Sequence, residues 1–594
     1  MHRIKSAERK RLEVSHRHIP EPLVLLVICI LAAIVRLLFL AYWKDTVLFS
    51  SPVGDEMNFH QTALALLGIS SSSEDVFLYQ PLYSFFLALV YFMFGIDIEF
   101  VRTLQLILGV INCLLFYALG RQFAGRSVGR ISALMIALYG PMVFFEVQLL
   151  APALCVLLTA GGYTFLFMAA NRKQPGWVLP AGLLMGFAIM GRPNLSVILP
   201  VGTIWVMRLP WSWKFRGLAL GLAFFGLTLG LSPSWIHNAI KGGEFIPVST
   251  AGGHSFYIGN CPSANGMFHV PSGLGIQLKD HESYRDSFAR IAEREIGKPL
   301  KPSQVSTYWF RRGLEFYRDQ PLDALQLLGK KALFSILSEE IAIHHPFAFA
   351  KDLAPWMNIL LTFGIVFPFS LVGVVFFLDP TRKTALLFWS AIAYGLTLVA
   401  FYVADRYRIV LLPMLIPLAG AGVMQLLHRF RSASWRGVFL PLLLLSIACV
   451  VSYLPILPVL YRPNIVAFSY NWIGSRLIEQ GEFSKAEQSL QRAVDLTGNN
   501  YGPIPSTTWM KLGLLCQKRG DLAAARKFFL RSAKAHSDNL EVRFRLAHLA
   551  EIQGSYLEAI NWLEQVVPHQ IDPSRTREMI SNIRKRYKID PKKE

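Results

Sequence analysis

The feature that most constrains this chain is a series of apolar runs of roughly 17–25 residues, the length that carries an α-helix across a bilayer. Examples are residues 22–43, 99–120, 149–170, 356–378 and 437–460. Hydrocarbon offers no water to satisfy backbone N–H and C=O groups, so such runs form helices. The expected fold class is therefore all-α, a polytopic membrane helix bundle. Composition agrees: of 594 residues 53% are hydrophobic and only 16% charged, against about 25% charged in an ordinary soluble domain. A net charge of +20 would point to nucleic acid in a soluble protein. Here it is read as the excess Lys and Arg of cytoplasmic loops, and no nucleic-acid partner is expected. Six scattered cysteines without a CxxC pair indicate neither a disulfide framework nor a zinc site.

The basic loops set the topology. The start, MHRIKSAERKRLEVSHRH, is basic, but the apolar run after it is too long for a signal peptide and lacks a small-residue cleavage site. Residues 1–21 read as a cytoplasmic tail before a retained helix. The run YQPLYSFFLALVYFMFG (79–95) is barely long enough to span and carries Pro81 near its start. If it lies in the interface, the basic segments 121–130, 171–173, 208–216, 379–383 and 428–436 all fall inside; if it crosses, all fall outside. The positive-inside rule selects the first arrangement. About eleven spans follow: 22–43, 99–120, 131–146, 149–170, 176–190, 194–208, 216–233, 356–378, 384–403, 407–427 and 437–460. The expectation is an inner (plasma) membrane protein with its bundle over 22–460. The outer face holds the first loop 44–98, the large segment 234–355 and everything after 461.

The region 461–594 has a different texture. GEFSKAEQSL (481–490), GDLAAARKFFL (520–530) and GSYLEAINWL (554–563) repeat one pattern, and Gly520 and Gly554 are 34 residues apart, the tetratricopeptide period. Trp509, Leu512, Gly513, Ala525 and Phe529 fit the packing positions of that repeat. A soluble α-solenoid of about three repeats is expected, the number needed to bury a continuous core. Its conspicuous residues serve packing, so it is expected to bind a partner or acceptor and to do no chemistry.

Charged residues at outer helix ends stand out. Asp55 and Glu56 in GDEMNFH (54–60) follow the first span, Arg192 lies in GRPN (191–194), and Arg406 and Arg408 flank Tyr407 in ADRYR (404–408). Outer arginines run against the positive-inside trend, and interfacial charge marks a functional candidate; headgroup snorkelling is the plainer reading. Glu146 falls at another outer end. Arg36, inside AAIVRLLFLAYW, is too deep to snorkel and either pairs with an acid or lines a site. STAGGHSFYIGN (249–260) is Gly-rich with aromatics and reads as a closing loop, with His254, Tyr257 and Asn260 as contacts. His344 and His345 before Pro346 read as a solvated turn, with a metal pair as the alternative.

These blocks, in order, resemble the C-type glycosyltransferases of the protein O-mannosyltransferase and aminoarabinose transferase group (glycosyltransferase family 39). The blocks are GDEMNF, YQPLYSFFLALVYFMFG with FVRTLQLILGVINCLLFYALGRQFAG, LYGPMVFFEVQLLAP, GLLMGFAIMGRPNLSVILP, LSPSWIHNAIKGGEFIPVSTAGGHSFYIGN and FYVADRYRIVLLPMLIPLAG. The resemblance covers residues 22–430 and implies transfer of a sugar from a polyprenyl-phosphate donor to a protein, lipid or glycan acceptor. Asp55, with Glu56 beside it, would take the proton from the acceptor hydroxyl. Arg406, Arg408, Arg192 and Tyr407 would hold the departing phosphate, for which a guanidinium fork is suited. His254, Tyr257, Asn260 and Glu146 would contact sugar or acceptor. One displacement with one base inverts the anomeric centre. No cofactor is required; a divalent metal is allowed by the family but not indicated, because LLAP follows Glu146 where relatives carry a further acid. The competing reading is a transporter or non-catalytic scaffold presenting the repeats. It lacks the internal repeats and midplane helix breaks that a transporter shows.

Overall fold

The computed structural model describes residues 20–70, 76–271, 274, 276, 281–376, 383–431, 435–458, 461–498, 500–569 and 573–587. The basic tail 1–19, most of the loop 379–383, residues 432–434 of the loop 428–436 and the last residues of the repeat region lie outside this set. Among the described residues all regular structure is helical, and the one extended pairing is an isolated bridge between Tyr139 and Leu361. The first part of the bundle runs α1 (Glu21–Lys44), α2 (Asp55–Leu66), α3 (Leu82–Phe94), α4 (Ile98–Ala124), α5 (Arg126–Ala137), α6 (Gly140–Glu146), α7 (Pro152–Arg172), α8 (Val178–Gly191), α9 (Ile198–Met207) and α10 (Trp213–Gly242). The segment between bundle halves holds α11 (Gly252–Gly259), α12 (His281–Ile296), α13 (Pro302–Asp319), α14 (Pro321–Ile336) and α15 (Phe347–Leu353). The second half is α16 (Phe363–Phe376), α17 (Lys383–Ala400), α18 (Asp405–Arg408), α19 (Leu412–Arg431) and α20 (Trp435–Ser452).

Six described helices are long and apolar enough to cross a membrane: α1, α4, α7, α10, α17 and the continuous stretch Asp405–Arg431. Five more apolar helices are shorter, α3 among them. At 1.5 Å per residue the 13 residues of α3 reach about 20 Å, short of the roughly 30 Å hydrocarbon core. The bundle displays apolar side chains outward, among them Leu26 and Leu37 on α1, Phe224 and Phe225 on α10 and Leu396 on α17. That is the surface a lipid-facing protein presents and a soluble one hides. The expectation of one span over 131–146 is corrected. The chain breaks at Leu138 and Tyr139, where residue 361 inserts: Gly140 N–H donates to the Leu361 carbonyl and Leu361 N–H to that of Leu138, both at 2.9 Å. Pro141 then starts the short α6, a position where its missing N–H costs nothing.

A close helix pairing joins α8 to α10 through two glycines on each. A Cβ at Gly186 would lie 2.6 Å from the Leu227 carbonyl oxygen, and one at Gly230 2.5 Å from that of Leu183; Gly182 and Gly226 approach the opposite backbones in the same way. Inside lipid, where apolar burial gives no drive for helices to associate, such backbone approach supplies the packing attraction.

The C-terminal array runs α21 (Tyr461–Glu479), α22 (Phe483–Thr497), α23 (Pro503–Lys518), α24 (Leu522–Ala535), α25 (Leu540–Ile552), α26 (Tyr556–Glu564) and α27 (Ser574–Tyr587). Gly481, Gly520 and Gly554 end the first helix of successive repeats with φ of +80°, +86° and +78°, a conformation glycine adopts without strain. The array is not a tethered bead. Val466, Ile473 and Leu477 of α21 share one apolar cluster with Phe39 and Trp43 of α1, Phe144 of α6 and Phe349 of α15. Asp352 accepts from Tyr470 and from Arg492, each at 2.6 Å, and His345 Nδ1 pairs with Ser469 Oγ at 3.0 Å.

Gly230→Leu should lower stability by about 1–3 kcal/mol through overpacking. Gly221→Leu on the same helix, where a side chain meets open space, should not. Thermal midpoints in detergent test this, and equal effects would refute the close crossing. A second expectation concerns acid. Burial pushes the imidazoles of His254 and His345 down to about 4 and about 3, from an ordinary value of about 6.5. Below that ordinary value the unfolded chain binds more protons than the folded one, so stability is full above it and falls as pH drops toward the folded values. At about pH 5 each should cost about 2 kcal/mol. The midpoint should fall accordingly between neutral pH and pH 5, and His254→Leu should remove about half of the loss. A pH-independent midpoint would contradict the buried, neutral state.

Candidate active site

The site begins at Gly54, the N-cap of α2, with φ of +56°. A Cβ there would be strained and would lie 3.2 Å from the His344 ring. Asp55 and Glu56 follow as the first two residues of α2, where the helix dipole favours negative charge. Successive helical residues point about 100° apart, and the two carboxylates go different ways. Glu56 turns inward to Arg102 at 3.3 Å and accepts the Leu149 N–H at 3.3 Å. Arg102 also donates to the carbonyls of Leu48 and Val147. Burial pushes the Glu56 carboxyl above its usual range while Arg102 pulls it back. Asp55 turns the other way, where Arg406 pairs with its Oδ2 and His344 Nε2 lies 3.4 Å from its Oδ1.

Arg406 is carried by α18, whose N-terminus is held by Asp405 accepting the Arg406 N–H at 2.6 Å. Tyr407 follows, and two guanidinium groups lie against its ring, Arg192 at 4.6 Å and Arg406 at 5.4 Å from the centroid. Arg192 also reaches the Arg406 carbonyl at 3.5 Å. Among the described residues Arg192 has no carboxylate partner. The Tyr407 hydroxyl meets that of Tyr402 at 3.1 Å, and Tyr394 donates to the Tyr407 carbonyl at 3.0 Å. Beside this group opens a cavity of about 410 Å³ lined by Arg192, Tyr407, Tyr402, Gln80, Asn194 and Ser255, among others.

Asp55, Arg192, Arg406 and Tyr407 are thus brought together from three distant parts of the chain. The other candidates are not. Arg408 points away, to Glu340 at 2.6 Å and the Glu339 carbonyl at 2.9 Å, and is buried. Glu146 lies inside the bundle, fully buried against Arg36 at 2.7 Å; because 131–146 is broken, α6 carries it inward rather than to an exposed end. Arg36 is therefore half of an ion pair. The segment 249–260 folds into α11 instead of an open loop. Within it Asn260 donates to the carbonyls of Phe256 and Ala400 at 2.8 Å and accepts from Tyr317 and Lys331 at 2.6 and 2.7 Å. The Tyr257 ring packs on Trp309 and the His254 ring on Phe288. These three hold α11 against α12, α13, α14 and the end of α17; Gly252 and Ser255 of the same helix reach the cavity instead. Among the described residues no three His, Cys, Asp or Glu side chains converge as a metal set; Asp55 and His344 are a pair. The reading of His344 as a solvated turn missed its contact with Asp55. Arg102 and Glu340 were also missed, since nothing local marks which charge each one meets.

Residues 80–237 match the family model of dolichyl-phosphate-mannose-protein mannosyltransferases, and residues 473–539 and 510–575 match the tetratricopeptide repeat. The first match includes Arg192 but neither Asp55 nor Arg406. No curated protein matches the chain. Among solved structures it is similar to the apo Archaeoglobus fulgidus oligosaccharyltransferase, at 12% identity and a TM-score of 0.42, over 80% of this chain and 60% of that one. It is also similar to the A. fulgidus oligosaccharyltransferase AglB in complex with an inhibitory peptide and a dolichol-phosphate, at 13% identity and 0.40, over 78% and 59%. The chain thus spans about 60% of the length of these structures. Residues 80–237 carry the pattern of the dolichyl-phosphate-mannose-protein mannosyltransferase family within a multi-pass membrane bundle, and the C-terminal region is a tetratricopeptide array.

Proposed function

We propose that this protein is a glycosyltransferase that moves a sugar from a polyprenyl-phosphate carrier to an acceptor on the outer face of the inner membrane, inverting the anomeric centre. The observation that carries the reading is the pairing of Asp55 with Arg406, 351 residues apart, beside the second guanidinium of Arg192 and an open cavity. Asp55 accepts the proton of the acceptor hydroxyl as its oxygen attacks C1. Arg406 and Arg192 stabilise the charge that develops on the departing phosphate, the place where pre-positioned cations lower a barrier most. Arg406 must leave Asp55 to meet the phosphate, so the base is released as the donor is bound. A lipid carrier is supported by an apolar cavity of about 270 Å³ between α7, α8, α9 and α10, which includes Ile198 and Gly202 just past the Arg192 turn. With cations supplied by arginine, the chemistry calls for no cofactor. The tetratricopeptide array, docked beside α15, serves to hold a protein or glycan acceptor, or a partner that delivers it.

Asp55→Asn should cut turnover about 10²–10⁴-fold, the range a general base contributes. Arg406→Ala should weaken donor use, and Arg406→Lys should restore it only in part, since an ammonium cannot replace a two-pronged fork. Release of polyprenyl phosphate by purified protein measures both, and near wild-type turnover in Asp55→Asn would overturn the reading. Reporter fusions test the orientation: positions 55 and 594 should report outside and position 126 inside. An inside signal at 594 would reverse the side on which the site faces.

A further inference from the structure

We infer that His344 is a positioning and proton-relay residue for Asp55; the inference rests on the glycosyltransferase reading. The two oxygens of Asp55 have different neighbours. Oδ2 is held by Arg406, while Oδ1 faces His344 Nε2 at 3.4 Å, a separation typical of a catalytic hydrogen bond that tightens only with substrate. The Asp55 side chain is 12% exposed and that of Arg406 13%, whereas His344 is 32% exposed. When phosphate draws Arg406 away, the contact of His344 Nε2 with Oδ1 remains to orient the carboxylate. After the chemical step Asp55 holds a proton, and the more exposed imidazole offers it a way back to water.

The balance is simple. The acceptor oxygen bonds to C1 as the bond from C1 to the phosphate oxygen breaks, the phosphate keeping the electron pair. The hydroxyl proton goes to Asp55, then to His344 Nε2, and the imidazolium releases a proton to solvent from its open side. The charged and titratable groups around the ring are Asp55 and Glu56 of α2, Arg406 of α18 and His345 of its own segment. His345, the next residue, is anchored on Ser469, and Gly54 packs against one side of the His344 ring, where a Cβ would lie 3.2 Å away.

The test measures kcat, donor KM and their pH dependence for His344→Gln and His344→Gly. The donor is whichever of polyprenyl-phosphate mannose, glucose and aminoarabinose the wild type turns over. Folding is checked by thermal midpoint. His344→Gln should lose about 10²-fold in kcat, the low end for a positioned proton-transfer group. Its donor KM should stay within about twofold, because no phosphate contact is removed. One ionisation should vanish from the kcat profile, and imidazole should partly restore turnover to His344→Gly. An unchanged kcat and pH profile would overturn the inference while leaving the glycosyltransferase reading intact. So would a loss of kcat matched by a rise in KM and insensitive to imidazole, the mark of a merely structural role. Undiminished turnover in Asp55→Asn, or none of the three donors used by the wild type, would sink the reading and the relay together.

Discussion

Charge taken out of water is the constraint that organises this bundle. An arginine in a low-dielectric interior is tolerable only against a carboxylate with good geometry. Three such pairs are closed: Arg36 with Glu146, Arg102 with Glu56 and Arg408 with Glu340, each side chain at most 7% exposed. Each joins segments far apart in sequence. The first fixes α1 to α6, the second α2 to α4, the third α18 to the stretch before α15. Removing one partner of such a pair typically costs about 3–5 kcal/mol, because a bare charge is left inside. Together they set the frame in which the fourth pair, Arg406 with Asp55, sits. That pair has the same chemistry but is slightly more exposed and lies next to Tyr407 and Arg192, which line the cavity.

This contrast explains what was legible in the sequence. Arg192 and Arg406 announced themselves by a local signal, positive charge at helix ends on the side where it is unexpected, Asp55 as an acid just after the first span, and Tyr407 only by lying between two arginines. The signal could not separate members of a doublet. Glu56 and Asp55 share a helix start, and Arg406 and Arg408 share a turn; which member of each is drawn away from the Asp55–Arg406 pair depends on Arg102 and Glu340, each many residues away. The same blindness applies to 131–146. Pro141 was visible, but the break it follows is made by residue 361 inserting from the other half of the chain. At 249–260 the Gly-rich composition read as a loop, and what makes it a helix is the aromatic and amide packing supplied by α12, α13 and α14.

The repeat array shows the two kinds of information side by side. Its period is a local property and could be read directly from Gly520 and Gly554. Its attachment is not local: Tyr470 and Arg492 find Asp352, and α21 inserts apolar side chains among α1, α6 and α15. A boundary drawn at 461 by composition therefore divides the sequence but not the packing. The first repeat helix belongs as much to the core beside the site as to the solenoid.

These strands meet in residues 340–349, a stretch that composition marked only as a turn before a proline. Glu340 closes the ion pair of Arg408, His344 faces Asp55, His345 holds Ser469 of α21, and Phe349 packs on Tyr470 and Trp43. The chain bends at residues 343–345, and across that bend His344 faces Asp55 while His345 faces Ser469 of the array. Their separation is one peptide unit, which has no soft internal coordinate apart from φ and ψ. Any displacement of α21 relative to the bundle is then felt at Asp55 without passing through a flexible linker, and the repeat array is mechanically continuous with the Asp55–Arg406 pair.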